Sequence, residues 1–201
     1  MVAGKSAEFA RRALGRFFAA GGGRSPFRFV QDLEKAGLLE ASIREARLGN
    51  YGKITRAFRE IAAAQLDLKA CGPEVLEKIH GIGPKTSRFF ILWTRPGERY
   101  AALDTHVLKW LRYLGHKAPK ATPPPERYRT LELVFLAEAD ARRVMPRTLD
   151  GIIWDFCSKL PLGIDEREIA WPAHLRKVPA PFPRELLEAF GEAVAAVEGG
   201  T

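Results

Sequence analysis

The chain has 201 residues, of which 46% are hydrophobic, and this suits one compact domain or two small lobes that share a core. Lys and Arg outnumber Asp and Glu by 32 to 24, and the resulting net charge of +8 favours a polyanionic partner. The only cysteines are Cys71 and Cys157, which excludes a zinc site or an iron–sulfur cluster held by four cysteines, and no apolar run approaches the ~20 residues of a membrane span.

Helical periodicity recurs along the chain and strand alternation is nearly absent, so the sequence predicts an all-α fold. Ser25 is placed to cap the second helix, with Pro26 at its first position and Gly37 at its end. Proline cannot continue a helix interior, so the Pro-rich stretches 116–128 and 171–183 are predicted links. In chain order the predicted helices cover residues 5–20, 26–37, 40–49, 53–66, 72–80, 84–95, 104–115, 126–144, 148–160 and 184–199.

The stretch LEKIHGIGPKTSRFF, residues 76–90, reads as a helix, a hairpin and a second helix. Gly81 and Gly83 supply the backbone freedom that a sharp reversal needs, and Ile82 between them anchors the turn in the core. Backbone N–H groups of the turn and of the following helix start then form a site suited to phosphate. A plain corner between two helices carries the same pattern, so the hairpin alone does not decide between the two interpretations.

Two ionisable residues accompany the hairpin. Lys85 lies at the second position of the helix that Pro84 opens, where the partial positive charge of the helix N-terminus opposes a second positive charge. Asp104 follows after one helix and a short loop, in the stretch ALDTHV, and is placed to cap the next helix. Taken separately, Lys85 is more simply a surface phosphate contact and Asp104 only a cap.

Together, the Gly-Ile-Gly hairpin, Lys85 and the LDTHV stretch resemble the helix-hairpin-helix DNA glycosylases, a family that includes endonuclease III and 8-oxoguanine DNA glycosylase. The resemblance is close over residues 26–115, and the flanks match only as helical sequence. Endonuclease III carries four cysteines near its C-terminus, which this chain cannot supply. The chain therefore looks more like the cluster-free, 8-oxoguanine-type branches.

The resemblance implies a fold of two helical lobes with a DNA-binding cleft between them. Residues 26–103 would form the lobe with the hairpin, and residues 1–25 plus 104–201 would form the second. Lys85 matches the family's catalytic lysine and Asp104 its essential aspartate, and both are expected in the cleft. The residues expected to contact the DNA backbone are Gly81, Ile82, Gly83, Thr86 and His106.

Further contacts with DNA are predicted from loops and aromatic residues. Asn50 and Tyr51 lie on a glycine-flanked loop and are candidates to fill the space that a flipped base leaves, while Lys53 is a candidate contact to the opposite strand. An equally good interpretation of Asn50 is a left-handed helix cap. Trp154 and Phe156 are candidates to stack on the flipped base, although aromatic residues in apolar helices more often belong to the core.

The sequence thus predicts a bifunctional DNA glycosylase and AP lyase acting on double-stranded DNA that contains an oxidised base, 8-oxoguanine first, or an abasic site. We expect a monomer without metal or cofactor, without a membrane partner, in the cytoplasm of a prokaryote and associated with the nucleoid. The scarcity of Asn and Gln is typical of thermophile proteins and also of GC-rich genomes. Two alternatives remain open: a uracil, thymine-mismatch or oxidised-pyrimidine glycosylase, and a non-catalytic helix-hairpin-helix DNA-binding protein.

Overall fold

The computed structural model describes residues 7–192, and over this range the fold is all-α, as the sequence predicts. The parts of the first and last predicted helices beyond this range lie outside the described residues. Of two short 3-10 helices, Glu166–Glu168 precedes the second Pro-rich link and Ala173–Leu175 lies within it. The α-helices are α1 Ala7–Ala19, α2 Pro26–Lys35, α3 Leu39–Glu45, α4 Tyr51–Ala63, α5 Pro73–Leu76, α6 Pro84–Thr94, α7 Thr105–Leu114, α8 Pro125–Ala141, α9 Pro146–Ser158 and α10 Arg184–Ala189.

The helix boundaries follow the local signals in the sequence. Ser25 caps α2 by accepting a hydrogen bond from the backbone N–H of Arg28 at 3.4 Å, and Pro26 occupies the first turn. Gly115 ends α7 in the left-handed conformation, with φ of 102°. Helix α5 is shorter than predicted, because the chain leaves the helix after Leu76 to form the hairpin turn.

Spatial contacts between residues divide the structure into two compact units, with the boundary between Gly83 and Pro84. This differs from the lobes predicted from the sequence, since Ala13 and Phe17 of α1 lie in the same buried cluster as residues of α2, α3 and α4. The ring of Phe17 lies 5.3 Å from that of Phe29 and 5.5 Å from that of Phe58, between centroids. The first unit therefore encloses an aromatic core of its own.

The second unit, from Pro84 onward, is built around Trp110 and Phe135, which are both fully buried. The indole N–H of Trp110 donates to the backbone oxygen of Leu175 at 2.8 Å, which fastens the Pro-rich link to the core. Phe190, which follows α10 directly, packs on Gly151 of α9 so closely that a Cβ at position 151 would collide with its ring. These contacts fix α9, which carries part of the site described below.

Among the described residues, no helix has the length and apolar character that crossing a bilayer requires.

Candidate functional site

Asp104 is the N-cap of α7, as the sequence predicts. Its Oδ1 accepts hydrogen bonds from the backbone N–H groups of His106 and Val107, both at 2.9 Å. Within the described chain its second oxygen, Oδ2, accepts no hydrogen bond, and the residue is only half-buried. One carboxylate oxygen is thus fixed by the helix, and the other remains available to a ligand.

The segment that leads into Asp104 is held from α8. The Tyr128 hydroxyl donates to the backbone oxygen of Ala101 at 2.7 Å and accepts from the backbone N–H of Leu103 at 2.9 Å. Glu132 accepts from the N–H of Ala101 at 2.9 Å and forms a buried ion pair with Arg88 of α6, also at 2.9 Å. Burying an ion pair costs desolvation free energy. The role of this pair is therefore to fix the backbone that leads from Ala101 to Asp104.

Lys85 is half-buried in the first turn of α6, directly after Pro84. Its Nζ lies 4.8 Å from the ring centroid of Phe89, one helical turn further on. In the described part of the chain no carboxylate lies within 4.0 Å of Nζ, so the amine is not locked into an ion pair. The aromatic face therefore orients the amine without neutralising it.

Asp150 is a third ionisable group of this site, and sequence reasoning missed it. It lies on α9, is 6% exposed, and has its pKa raised to about 8, first by burial and then by the negative charge of Asp104. The Trp93 indole and the charge of Lys85 act in the opposite direction. The buried Nε1 of Trp93 has no hydrogen-bond partner at normal geometry among the described residues. The charges of Lys85 on α6 and of Asp104 at the start of α7 thus both act on Asp150 of α9.

The second unit also contains the predicted site residues Thr86, His106, Trp154 and Phe156. Thr86 is exposed beside Lys85, and the Nδ1 of His106 is buried without a hydrogen-bond partner in the described chain. Trp154 is 45% exposed on α9, one turn after Asp150 and so on the same face of the helix. Phe156 instead packs on the core, with its ring 5.2 Å from that of Trp171, which leaves its predicted stacking role without structural support.

The residues of the predicted hairpin lie in the first unit, in a turn that follows α5. The backbone N–H of Ile82 donates to the oxygen of Ile79 at 3.0 Å, and Gly81 has φ of +83°, a conformation that glycine adopts readily. Ile79 is buried and Ile82 half-buried, so they anchor the turn. Gly83 is exposed, and a Cβ added to it would meet nothing within 4 Å. The outer surface of the turn is therefore open to a ligand.

Basic side chains border the hairpin in an open depression of about 580 Å³, lined among others by Lys53, Arg56 and Lys78. Lys53 lies directly against Gly81, where a Cβ would sit 2.6 Å from the Lys53 Cε. Glu60 holds the turn by accepting from the backbone N–H of His80 at 2.6 Å, and this bond together with Arg56 lowers the pKa of Glu60. Lys53, predicted as a separate contact, is thus part of the hairpin surface.

Asn50 and Tyr51 begin the helix that carries Lys53. Asn50 is exposed with φ of 42° and ψ of 43°, which confirms the left-handed cap conformation. Tyr51 is half-buried, with the Arg44 guanidinium 4.6 Å from its ring centroid. The exposed Asn50 side chain remains the better candidate of the two to enter a DNA duplex.

Within residues 7–192, no group of three or more His, Cys, Asp and Glu side chains is arranged to hold a metal ion.

Comparisons with protein-family profiles, with curated proteins and with solved structures give no match to this chain.

Proposed function

We propose that this protein is a helix-hairpin-helix DNA glycosylase and AP lyase, which removes a damaged base from duplex DNA and then cleaves the abasic site. The observation that carries the proposal is that Lys85 is held at the start of α6 without an ion pair, while Asp104 at the start of α7 has one carboxylate oxygen fixed and the other uncommitted. Base excision through a covalent imine requires an amine that is not held in an ion pair, together with a carboxyl group. The hairpin of the first unit supplies a surface for DNA phosphate.

Base removal breaks the bond between C1′ of the deoxyribose and a base nitrogen, and positive charge develops on the sugar as the base departs. Asp104 stabilises this charge, because one carboxylate oxygen is fixed by two backbone N–H groups while Oδ2 is left uncommitted. Because the helix already holds the carboxylate in place, the carboxylate needs little reorganisation when positive charge develops on the sugar.

Lys85 then forms the covalent intermediate. The lone pair of its Nζ attacks C1′, the base leaves with the electron pair of the glycosidic bond, and opening of the sugar gives a Schiff base that permits β-elimination of the 3′ phosphate. The half-buried side chain and its contact with Phe89 hold the amine in place. A pure DNA-binding protein has no need of an uncommitted carboxylate oxygen at Asp104.

DNA binding is assigned to the hairpin and its basic border. The backbone N–H groups of Gly81 and Gly83, on either side of Ile82, are assigned to phosphate, and Lys53 adds charge at the same place. Thr86 and His106 are assigned to the strand that carries the damaged base. The base leaves the stack to reach Lys85, and Trp154 offers an exposed aromatic face for it.

The first substrate proposed is 8-oxoguanine, on the grounds of the missing cysteines and the Asp-x-His pattern at Asp104 and His106. The test is an excision assay on duplexes that each carry one lesion: 8-oxoguanine, uracil, a thymine mismatch or an oxidised pyrimidine. Release of the base with strand cleavage before alkali supports a glycosylase and lyase, and the preferred duplex identifies the lesion. Tight binding to every duplex with no base released from any would instead indicate the non-catalytic helix-hairpin-helix protein.

A further inference from the structure

The backbone that leads into Asp104 is buried but not helical. Ala101, Ala102 and Leu103 are each at most 1% exposed, and they lie between the end of α6 and the start of α7. Buried N–H and C=O groups need hydrogen-bond partners, which a helix or a sheet supplies from its own backbone. In this segment side chains of α8 supply several of them. The position of the segment therefore depends on those side chains.

Tyr128 of α8 holds the segment at two points. Its hydroxyl donates to the backbone oxygen of Ala101 at 2.7 Å and accepts from the N–H of Leu103 at 2.9 Å. The oxygen of Ala102, between these two residues, accepts from the backbone N–H of Asp104 at 2.6 Å. Burial raises the pKa of the Tyr128 hydroxyl, which therefore keeps the proton that it donates. One hydroxyl group thus fixes both neighbours of the residue to which the Asp104 backbone is hydrogen-bonded.

A second connection runs from the same segment to the helix that carries Lys85. Glu132 of α8 accepts from the backbone N–H of Ala101 at 2.9 Å and from the Nε of Arg88 at 2.9 Å. Arg88 is 4% exposed and follows Lys85 by three residues on α6. Its Nη1 also donates to the backbone oxygen of Pro84, the first residue of that helix, at 3.4 Å. The ion pair therefore ties the first turn of α6 to the backbone that precedes α7.

We propose that Tyr128 and Glu132 are positioning residues for base excision, an inference that rests on the glycosylase and lyase function proposed above. Tyr128 positions Asp104, because both hydrogen bonds of its hydroxyl go to the segment before α7. Glu132 positions Asp104 and, through Arg88, also the helix turn that carries Lys85. Both side chains are buried and act through these two residues rather than on the DNA.

The two steps of the proposed reaction make the two roles separable. Departure of the base requires the Asp104 carboxylate at the sugar, where positive charge develops. A duplex with a preformed abasic site has no base to lose, so trapping on it reports imine formation by Lys85 alone. A small displacement of Asp104 should therefore slow excision and spare trapping, since catalytic groups lose much of their effect when misplaced by about 1 Å.

The test measures two single-turnover rates for each variant: base excision from the duplex that the wild type prefers among the four above, and borohydride trapping on a preformed abasic duplex. Tyr128→Phe removes only the hydroxyl and keeps the ring, which lies 5.0 Å from the Arg88 guanidinium. Its excision rate should fall about tenfold, while its trapping rate stays within about twofold of the wild type. In Glu132→Gln both rates should fall about tenfold, because the ion pair to α6 is also lost.

Two control variants separate positioning from stability. Tyr113→Phe removes a hydroxyl from another tyrosine of the same unit, whose ring stacks on Trp171. Leu175→Ala weakens the core of that unit away from the segment, and Leu175 is fully buried. Both controls should keep the wild-type ratio of excision to trapping, at a temperature where every variant is folded.

Equal losses of the two rates in Tyr128→Phe would show that its hydroxyl acts on stability alone and would overturn the proposal, as would wild-type values of both. Wild-type rates in Glu132→Gln would overturn the connection to α6. A wild type that releases no base from any duplex would overturn the glycosylase function itself, and this proposal with it.

Amide hydrogen exchange, followed by NMR without DNA, tests the hydrogen bonds of Tyr128 directly. In Tyr128→Phe the Leu103 amide loses its acceptor, so it should exchange at least about tenfold faster than in the wild type. Amides inside α7 should keep their wild-type exchange rates. An unchanged exchange rate at Leu103 would show that Tyr128 does not hold the segment and would overturn its assigned role.

Discussion

Gly81 lies so close to Lys53 that a methyl group added to the glycine would sit 2.6 Å from the lysine Cε. The close approach puts a positive side chain on the same surface as the exposed turn of the hairpin. Lys53 comes from the first turn of α4, so two segments distant in sequence build one basic surface. The predictions for DNA binding follow from this surface.

Gly83→Ala should separate DNA binding from stability. A Cβ at this position meets nothing within 4 Å, so the free energy of unfolding should change by less than about 0.5 kcal/mol. The same methyl group would stand between the backbone and a phosphate, and the Kd for duplex DNA should rise about tenfold. Fluorescence anisotropy and urea unfolding measure the two effects, with Gly97→Ala as an equally open control. Unchanged DNA affinity would contradict the assignment of the hairpin to phosphate.

Gly81→Ala should behave differently, because its φ of +83° strains any other residue. We expect a loss of about 1–2 kcal/mol in the free energy of unfolding and displacement of Lys53, with weaker DNA binding as a result. Urea unfolding checks the first effect and anisotropy the second. Stability equal to that of Gly83→Ala would show that the turn does not hold the conformation described.

Lys53→Ala should weaken binding to all duplexes alike and reduce the salt dependence. Loss of one phosphate contact lowers the slope of log K against log salt concentration by about 1. Anisotropy titrations over a range of salt concentrations measure it, and Lys35→Ala, an exposed lysine of the same unit, is the control. Equal slopes for Lys53→Ala and the wild type would exclude Lys53 from the interface.

Asp104→Asn should lower the rate of base excision far more than it changes the stability of the fold. Asparagine is as good an N-cap as aspartate, so the hydrogen bonds to His106 and Val107 persist and stability changes by less than about 0.5 kcal/mol. Base excision should fall by about a hundredfold or more, because the neutral amide does not stabilise the positive sugar. Single-turnover excision assays measure this effect. Asp104→Ala provides the contrast, since it also loses the cap, at about 1 kcal/mol. An excision rate in Asp104→Asn close to the wild type would mean that Asp104 is only a cap.

Asp150 should make the stability of the protein depend on pH. Its folded-state pKa of about 8 is above the ordinary value of 3.8, so between these values the folded state holds a proton that the unfolded state lacks. The contribution is fully present below pH 3.8 and is lost as pH rises through 8. The free energy of unfolding of the wild type should therefore fall relative to Asp150→Asn over this range, by up to about 6 kcal/mol. Urea unfolding of both proteins at several pH values gives the difference, and parallel curves would contradict the raised pKa.

Local signals in the sequence predict much of the fold. Ser25 and Asp104 each precede a helix and cap it through hydrogen bonds that span two or three residues, so nearby sequence determines them. The turn at Gly81 is local for the same reason. The end of α5 was less predictable, because residues 77–80 continue a helical pattern along the sequence. In the structure Ile79 is buried and the backbone N–H of His80 donates to Glu60 of α4, a tertiary contact that the local sequence does not indicate.

The candidate site could be predicted only in part. Lys85 and Asp104 belong to a pattern along the chain, but Asp150 sits in an apolar stretch, and its partners come from α6 and α7 through tertiary packing. The signal available was a lone aspartate among residues that are otherwise buried, which is unusual for an acidic side chain. Phe156 shows the opposite case, since an aromatic residue on α9 matched the expected chemistry but packs on Trp171.

The most direct test of the account is borohydride trapping of the wild type and Lys85→Gln on a duplex with an abasic site. The wild type should give a covalent protein–DNA adduct, because reduction fixes the imine between Nζ and C1′. Lys85→Gln should bind the same duplex with unchanged affinity and give no adduct, while Lys159→Gln, an exposed lysine of the same unit, should trap as well as the wild type. An adduct that persists in Lys85→Gln, or a wild type that binds the duplex and forms none, would contradict the central claim.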